Sequence, residues 1–123
     1  FTGELPHGAL FPRCAMVVHH GGAGTTAASA RAGVPQLLVP HLSDQFFWAD
    51  QIAGRGLGPA GIPRSRLAAR SLARALRATL DDRPMARRAS RLGEALRQRD
   101  AATAVARRLI AIASDGAPRH AAA

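Results

Sequence analysis

The stretch His19-His20-Gly21-Gly22-Ala23-Gly24-Thr25-Thr26 brings together the residue types that an anion seat needs. Glycines let a backbone approach a ligand with no Cβ in the way. A turn that enters a helix leaves several N–H groups unpaired and aimed at one point, and the helix dipole adds positive potential there. A neighbouring imidazole adds a hydrogen bond or, when protonated, a charge. Glycines also suit any tight strand-to-helix turn, so this stretch alone leaves both readings open.

The surrounding elements decide where such a turn would sit. Cys14-Ala15-Met16-Val17-Val18 reads as a short buried strand, and Thr25 to Ala32 as a helix stopped by Gly33 and then Pro35. Gln36-Leu37-Leu38-Val39-Pro40 is a second strand, followed by His41-Leu42-Ser43-Asp44-Gln45 and another helix. Apolar runs of this kind are buried on both faces, which suits a parallel sheet with helical crossovers. Leu57-Gly58-Pro59-Ala60 is expected to be a short third strand. Helices follow at about 65–80, 84–98 and 101–113, by their stripes of apolar residues. In open α/β sheets, ligands bind beyond the carboxyl ends of the strands, so the loops carrying His20 and Asp44-Gln45 fall on one rim.

The segments HHGGAGTTAASARAGVPQLLVP and HLSDQFFWADQIAGRGLG resemble nucleotide-sugar-dependent glycosyltransferases of the GT-B fold. The likeness is to bacterial enzymes that glycosylate macrolides and other natural products, and to sterol glucosyltransferases. Leu5-Pro6-His7-Gly8-Ala9-Leu10-Phe11-Pro12-Arg13 resembles the segment that precedes the motif in that family. The fold class implied is α/β: a Rossmann-like parallel sheet with helices, forming the carboxy-terminal part of a donor-binding domain. Residues 1–114 are expected to make that domain and residues 115–123 a disordered tail.

The resemblance also implies roles. His20, directly before the paired glycines, would hydrogen-bond the donor diphosphate. Gly22 and the amides of Ala23, Gly24 and Thr25 would bind the phosphates, with the Thr25 hydroxyl as a further donor. Asp44 and Gln45 would hold the sugar, since a carboxylate and an amide together offer acceptors and donors to vicinal hydroxyls. No catalytic residue is expected within the chain: the general base and acceptor pocket would belong to an amino-terminal domain. Transfer would proceed with inversion onto a hydroxyl of a small-molecule or lipid-like acceptor. No cofactor or metal is implied beyond the nucleoside diphosphate sugar itself. Plant members carry a stacking Trp before the Pro of the upstream segment, where Glu4 and Leu5 precede Pro6 here, so the base preference stays open.

Composition fits this reading. A chain of 123 residues supports one modest core. Phe1-Thr2-Gly3 lacks an initiating Met, which reads as the edge of a longer chain, inactive in transfer by itself. The formal charge is +9, and all 17 basic residues are arginine, a bias that a GC-rich genome gives without selection for binding. Arg66, Arg70 and Arg74 repeat on one face while Leu72, Leu76 and Leu80 repeat on another; Met85, Ala89, Leu92 and Leu96 form a further stripe. Such basic faces could bind phosphate backbones, but no aromatic interleaving accompanies them, and no nucleic-acid partner is expected.

Single residues add little. His19 and His20 should point to opposite sides of a strand end, against joint metal ligation, and His7 and His41 have no ligand-like spacing to them. Cys14 is the sole cysteine, excluding an internal disulfide, and is expected to be a small buried residue. Phe46, Phe47 and Trp48 could form an aromatic sugar platform, but the core is the favoured place for them, and Asp82 is expected as a helix cap. No apolar run approaches membrane-spanning length, which fits a cytoplasmic protein with at most peripheral membrane contact. Two alternatives stay open: a stand-alone or degenerate nucleotide-binding module, and an arginine-rich nucleic-acid binder.

Overall fold

The computed structural model describes residues 6–98. The expected helix at 101–113 and the tail at 115–123 lie outside the described residues. The chain opens with a single turn, α1 (His7–Leu10), which passes through a 3-10 turn at Phe11–Arg13. Pro12 there fixes a tight backbone, and the Cys14 N–H donates to the Phe11 carbonyl at 3.0 Å. The first strand therefore starts later than expected and runs through the histidine: β1 is Val17–His19. Cys14 is part-buried, against the cluster of Phe11, Val17 and Val34.

From β1 the chain turns into α2 (Ala23–Ala32), which ends at Gly33 with φ +78°, then forms β2 (Gln36–Leu38). The strands are parallel, with Val17 opposite Gln36 and His19 opposite Leu38. β2 is buried on both faces, whereas Val18 on β1 is exposed. α3 (Asp44–Gly54) follows and lays Ala49 and Ile52 on Leu38 and Leu57.

The third strand does not form. Residues 57–62 run beside β2, where the Gln36 N–H donates to the Leu57 carbonyl (3.0 Å) and the Ile62 N–H to the Leu38 carbonyl (2.9 Å). Pro59, between those two points, has no N–H to give, so the ladder cannot become regular. Gly58 lets the segment lie close, because a Cβ there would stand 1.8 Å from the Gln36 carbonyl oxygen.

α4 (Ala69–Asp81) and α5 (Arg83–Gln98) complete the described chain. Asp82 caps α5 as expected, its Oδ1 accepting the Met85 N–H at 2.8 Å. On α4, Thr79 is buried and Leu80 is 54% exposed, against the expected leucine stripe. At 3.6 residues per turn, position i+7 returns to within about 20° of Leu72, whereas i+8 lies about 80° away. On α5, Met85, Ala89 and Gly93 are buried, with Leu92 packed against the main core. α5 crosses the end of α2, where Gly93 meets Gly33 backbone to backbone. Two arginines fasten this crossing: Arg31 donates to the Leu96 carbonyl (3.1 Å) and Arg97 to the Arg31 carbonyl (2.5 Å).

Candidate functional site

The β1–α2 turn is held from beneath by His19. Its Nδ1 accepts the Gly21 N–H at 3.1 Å, so its proton sits on Nε2, which faces the Gln36 Oε1 at 2.9 Å. The ring is thus neutral with a fixed tautomer. Burial is the main cause that lowers its pKa from the ordinary 6.5, partly opposed by the Gln36 bond and reinforced weakly by His20 and His7. Gly21, at φ +98°, needs to be glycine, and a Cβ there would also press on the Gln45 carbonyl at 3.1 Å. This contact sets the first loop against the second.

His20 is exposed, and its ring folds over Gly22: a Cβ at Gly22 would lie 2.6 Å from His20 Nε2. The glycine makes room for the imidazole at the mouth of α2. No side chain caps α2, and the first N–H to find a helical acceptor is that of Thr26, on the Gly22 carbonyl. The amides of Ala23, Gly24 and Thr25 have no acceptor one turn back within the helix, which leaves them as donors. The hydroxyls of Thr26 and Ser29 turn inward, to the carbonyls of Gly22 and Thr25 at 2.9 Å each. The Thr25 hydroxyl makes no such bond among the described residues. A Cβ at Gly24 would meet nothing within 4 Å, so the side of the helix start where it would stand is open.

The second loop shows a division the sequence does not reveal. Gln45 Oε1 accepts the N–H groups of both His41 (2.7 Å) and Leu42 (3.2 Å). Its acceptor is spent on closing the turn, so Gln45 offers outward only its NH₂. Asp44, the first residue of α3, is exposed and supplies the acceptor. Between them and β2 stands Ser43, at φ +50°, a non-glycine in the left-handed half of conformational space.

All the expected site residues lie just beyond the parallel strands, His20 and Gly22 on the loop after β1, Ala23, Gly24 and Thr25 in the first turn of α2, and Asp44 and Gln45 in the first turn of α3, the two segments joined by the Gly21–Gln45 contact. Sequence spacing missed His41. Its ring lies beside that of His20, centroids 6.4 Å apart and planes tilted by 59°. The strand-polarity rule that places both loops on one rim is the signal that could have found it. Phe46 and Phe47 depart from the core expectation, at 42% and 55% exposure, because they start α3 on its outer side; Trp48 packs on the core as expected. Phe46 and His41 line a cleft of about 360 Å³ with Pro40, Pro63, Arg64 and Ser65. Among the described residues no three His, Cys, Asp or Glu gather to hold a metal ion, and no helix is long and apolar enough to cross a membrane.

The family described as "Erythromycin biosynthesis protein CIII-like, C-terminal domain" matches residues 1–112. The chain belongs to that family. A sterol 3-beta-glucosyltransferase of Arabidopsis thaliana is 53% identical to this CIII-like C-terminal domain over 74 residues, 60% of the chain and 12% of the relative. The O-mycaminosyltylonolide 6-deoxyallosyltransferase of Streptomyces fradiae is 49% identical over 87 residues, 71% of the chain and 21% of the relative. Among solved structures, spinosyn rhamnosyltransferase SpnG complexed with thymidine diphosphate superposes with a TM-score of 0.73 at 28% identity. The match covers 85% of this chain and 29% of that one. The fold is accordingly α/β, of the kind found in GT-B glycosyltransferases. The CIII-like C-terminal domain spans between about an eighth and a fifth of the length of these two curated relatives.

Proposed function

We propose that this chain forms the donor seat of a glycosyltransferase that moves a sugar from a nucleoside diphosphate to an acceptor hydroxyl. The observation that carries the reading is the convergence at one rim of His20, the unpaired amides opening α2, and the Asp44-Gln45 pair. The nucleotide-bound rhamnosyltransferase of the same fold supports it. In this reading the diphosphate lies against Ala23, Gly24 and Thr25, and the sugar extends toward Asp44 and Gln45. The acceptor oxygen forms a bond to the anomeric carbon from the opposite face. The bond from that carbon to the phosphate oxygen breaks, and its electron pair leaves with the diphosphate. Charge then grows on the leaving group, where fixed donors aimed at it do the most good.

The acceptor is a small molecule or a lipid-like molecule, and the base that takes its proton is assigned to another part of the polypeptide. The chain alone binds donor without transferring sugar. His20 and the helix start supply the stabilisation that a divalent cation gives in other transferases, so the reading requires no metal. It places the protein in the cytoplasm, with peripheral membrane contact where the acceptor is lipid-like. The test is His20→Ala in the complete polypeptide: turnover at saturating donor should fall by about 10²–10³, the usual effect of losing one such donor. Turnover near the wild-type value would overturn the assignment.

A further inference from the structure

We infer that His41 is a second imidazole on the donor's diphosphate, gripping with His20 an oxygen of the phosphate nearer the sugar. The inference rests on the donor-seat reading and adds a residue to it. His20 belongs to the loop after β1 and His41 to the loop after β2, yet their rings stand 6.4 Å apart, tilted by 59°. A charge-assisted N–H···O contact is about 2.8 Å long, so two imidazoles can share one oxygen when their centroids lie up to about 8 Å apart. The observed separation falls within that limit and within the range of tilted ring pairs, so the two imidazoles are close enough to serve one oxygen. Both rings are exposed, and so free to meet a ligand.

The backbone around His41 is built to keep it there. Gln45 Oε1 holds the His41 N–H at 2.7 Å, and Gly21 brings the first loop against the Gln45 backbone. The ring also lines the cleft of about 360 Å³ whose other polar side chains are Arg64 and Ser65. An anion entering between His20 and His41 would therefore meet the opening amides of α2, two imidazoles and a nearby guanidinium. Asp44 is the one carboxylate on these loops. It is suited to sugar hydroxyls and repels phosphate, so it keeps the anion on the histidine side.

The experiment is calorimetric titration of the complete polypeptide with thymidine diphosphate, uridine diphosphate and the matching monophosphates. The variants are His41→Phe, which keeps a ring and removes both nitrogens, His20→Ala, and the two combined. His41→Phe should weaken diphosphate binding about 10- to 150-fold, the range for losing one charge-assisted hydrogen bond. It should leave monophosphate binding within about twofold. The double variant should lose less than the product of the single losses, because the two rings share one oxygen. Unchanged diphosphate affinity in His41→Phe, with His20→Ala still weakened, would overturn the role of His41 and spare the donor seat. Equal losses for mono- and diphosphates would also overturn it, by assigning His41 to packing. If neither variant alters diphosphate binding while circular dichroism reports a folded protein, the donor-seat reading itself fails.

Discussion

At the scale of single residues, the site runs on exclusive hydrogen-bond assignments. His19 must be neutral to accept from Gly21 and donate to Gln36 at once. Protonation would put an N–H where the Gly21 N–H already points. The pKa in the folded chain is below the ordinary 6.5, so the unfolded chain binds more protons as pH falls through that value. The stabilisation is fully present above it and drains away toward the lower, folded value. Urea unfolding should thus show stability falling on acidification below 6.5, with a shallower fall in His19→Gln, whose amide cannot take up a proton. An identical slope in both proteins would exclude His19 as the source. Gln45 makes a matching case. Gln45→Glu keeps an oxygen for the His41 and Leu42 amides and loses the outward NH₂, whereas Gln45→Ala loses both. Across a panel of sugar donors, Glu should shift the preference with modest loss of diphosphate affinity, and Ala should lower both. If the two variants behave alike, the turn-closing bond is irrelevant to binding.

At the scale of elements, the helix that opens the site is fixed by a partner remote in sequence. The α2–α5 crossing depends on Gly93, where an added Cβ would stand 2.6 Å from the Gly33 Cα. That neighbour is backbone and cannot swing away. Gly93→Ala should cost about 1–3 kcal/mol, the usual toll of overpacking, despite alanine's better helix propensity. Denaturant melts would read this directly, and an unchanged or raised midpoint would mean the helices part easily. The sequence gives no hint of this crossing, since a glycine inside a helical stripe looks like any weak helix position. It did make the two parallel strands, α2, α3 and the Asp82 cap legible, because alternating apolar runs and stop residues are local signals. The third strand failed on a local rule as well: Pro59 lacks the N–H a ladder needs. What stayed hidden is contact across the fold: the His20–His41 pair, the spent oxygen of Gln45, and Thr79 replacing Leu80 on the buried side of α4.

At the scale of the whole molecule, charge is the feature that most invites a second function. A formal charge of +9 would attract any polyanion at low salt. In the described helices the arginines at 70, 74, 77, 83, 87 and 91 are exposed and spread over α4 and α5. Attraction of that kind is counterion release and carries no sequence information. Fluorescence anisotropy with duplex DNA should show binding that vanishes as salt rises to physiological levels and that does not discriminate between sequences. A salt-resistant, sequence-dependent complex would call for a different account of this chain.

The mutual arginine clasp between Arg31 and the end of α5 joins residues more than sixty positions apart. It sits at the far end of the helix whose opening amides face the proposed phosphate. Anyone recombining glycosyltransferases to change their sugar would be tempted to exchange the short glycine-rich segment alone. Such a graft would bring in an α2 whose last turn was shaped against a different α5, and the opening amides would be displaced at the other end. The smallest block that can be traded intact runs from β1 through Arg97, so here the exchangeable unit of donor choice is nearly the whole described chain.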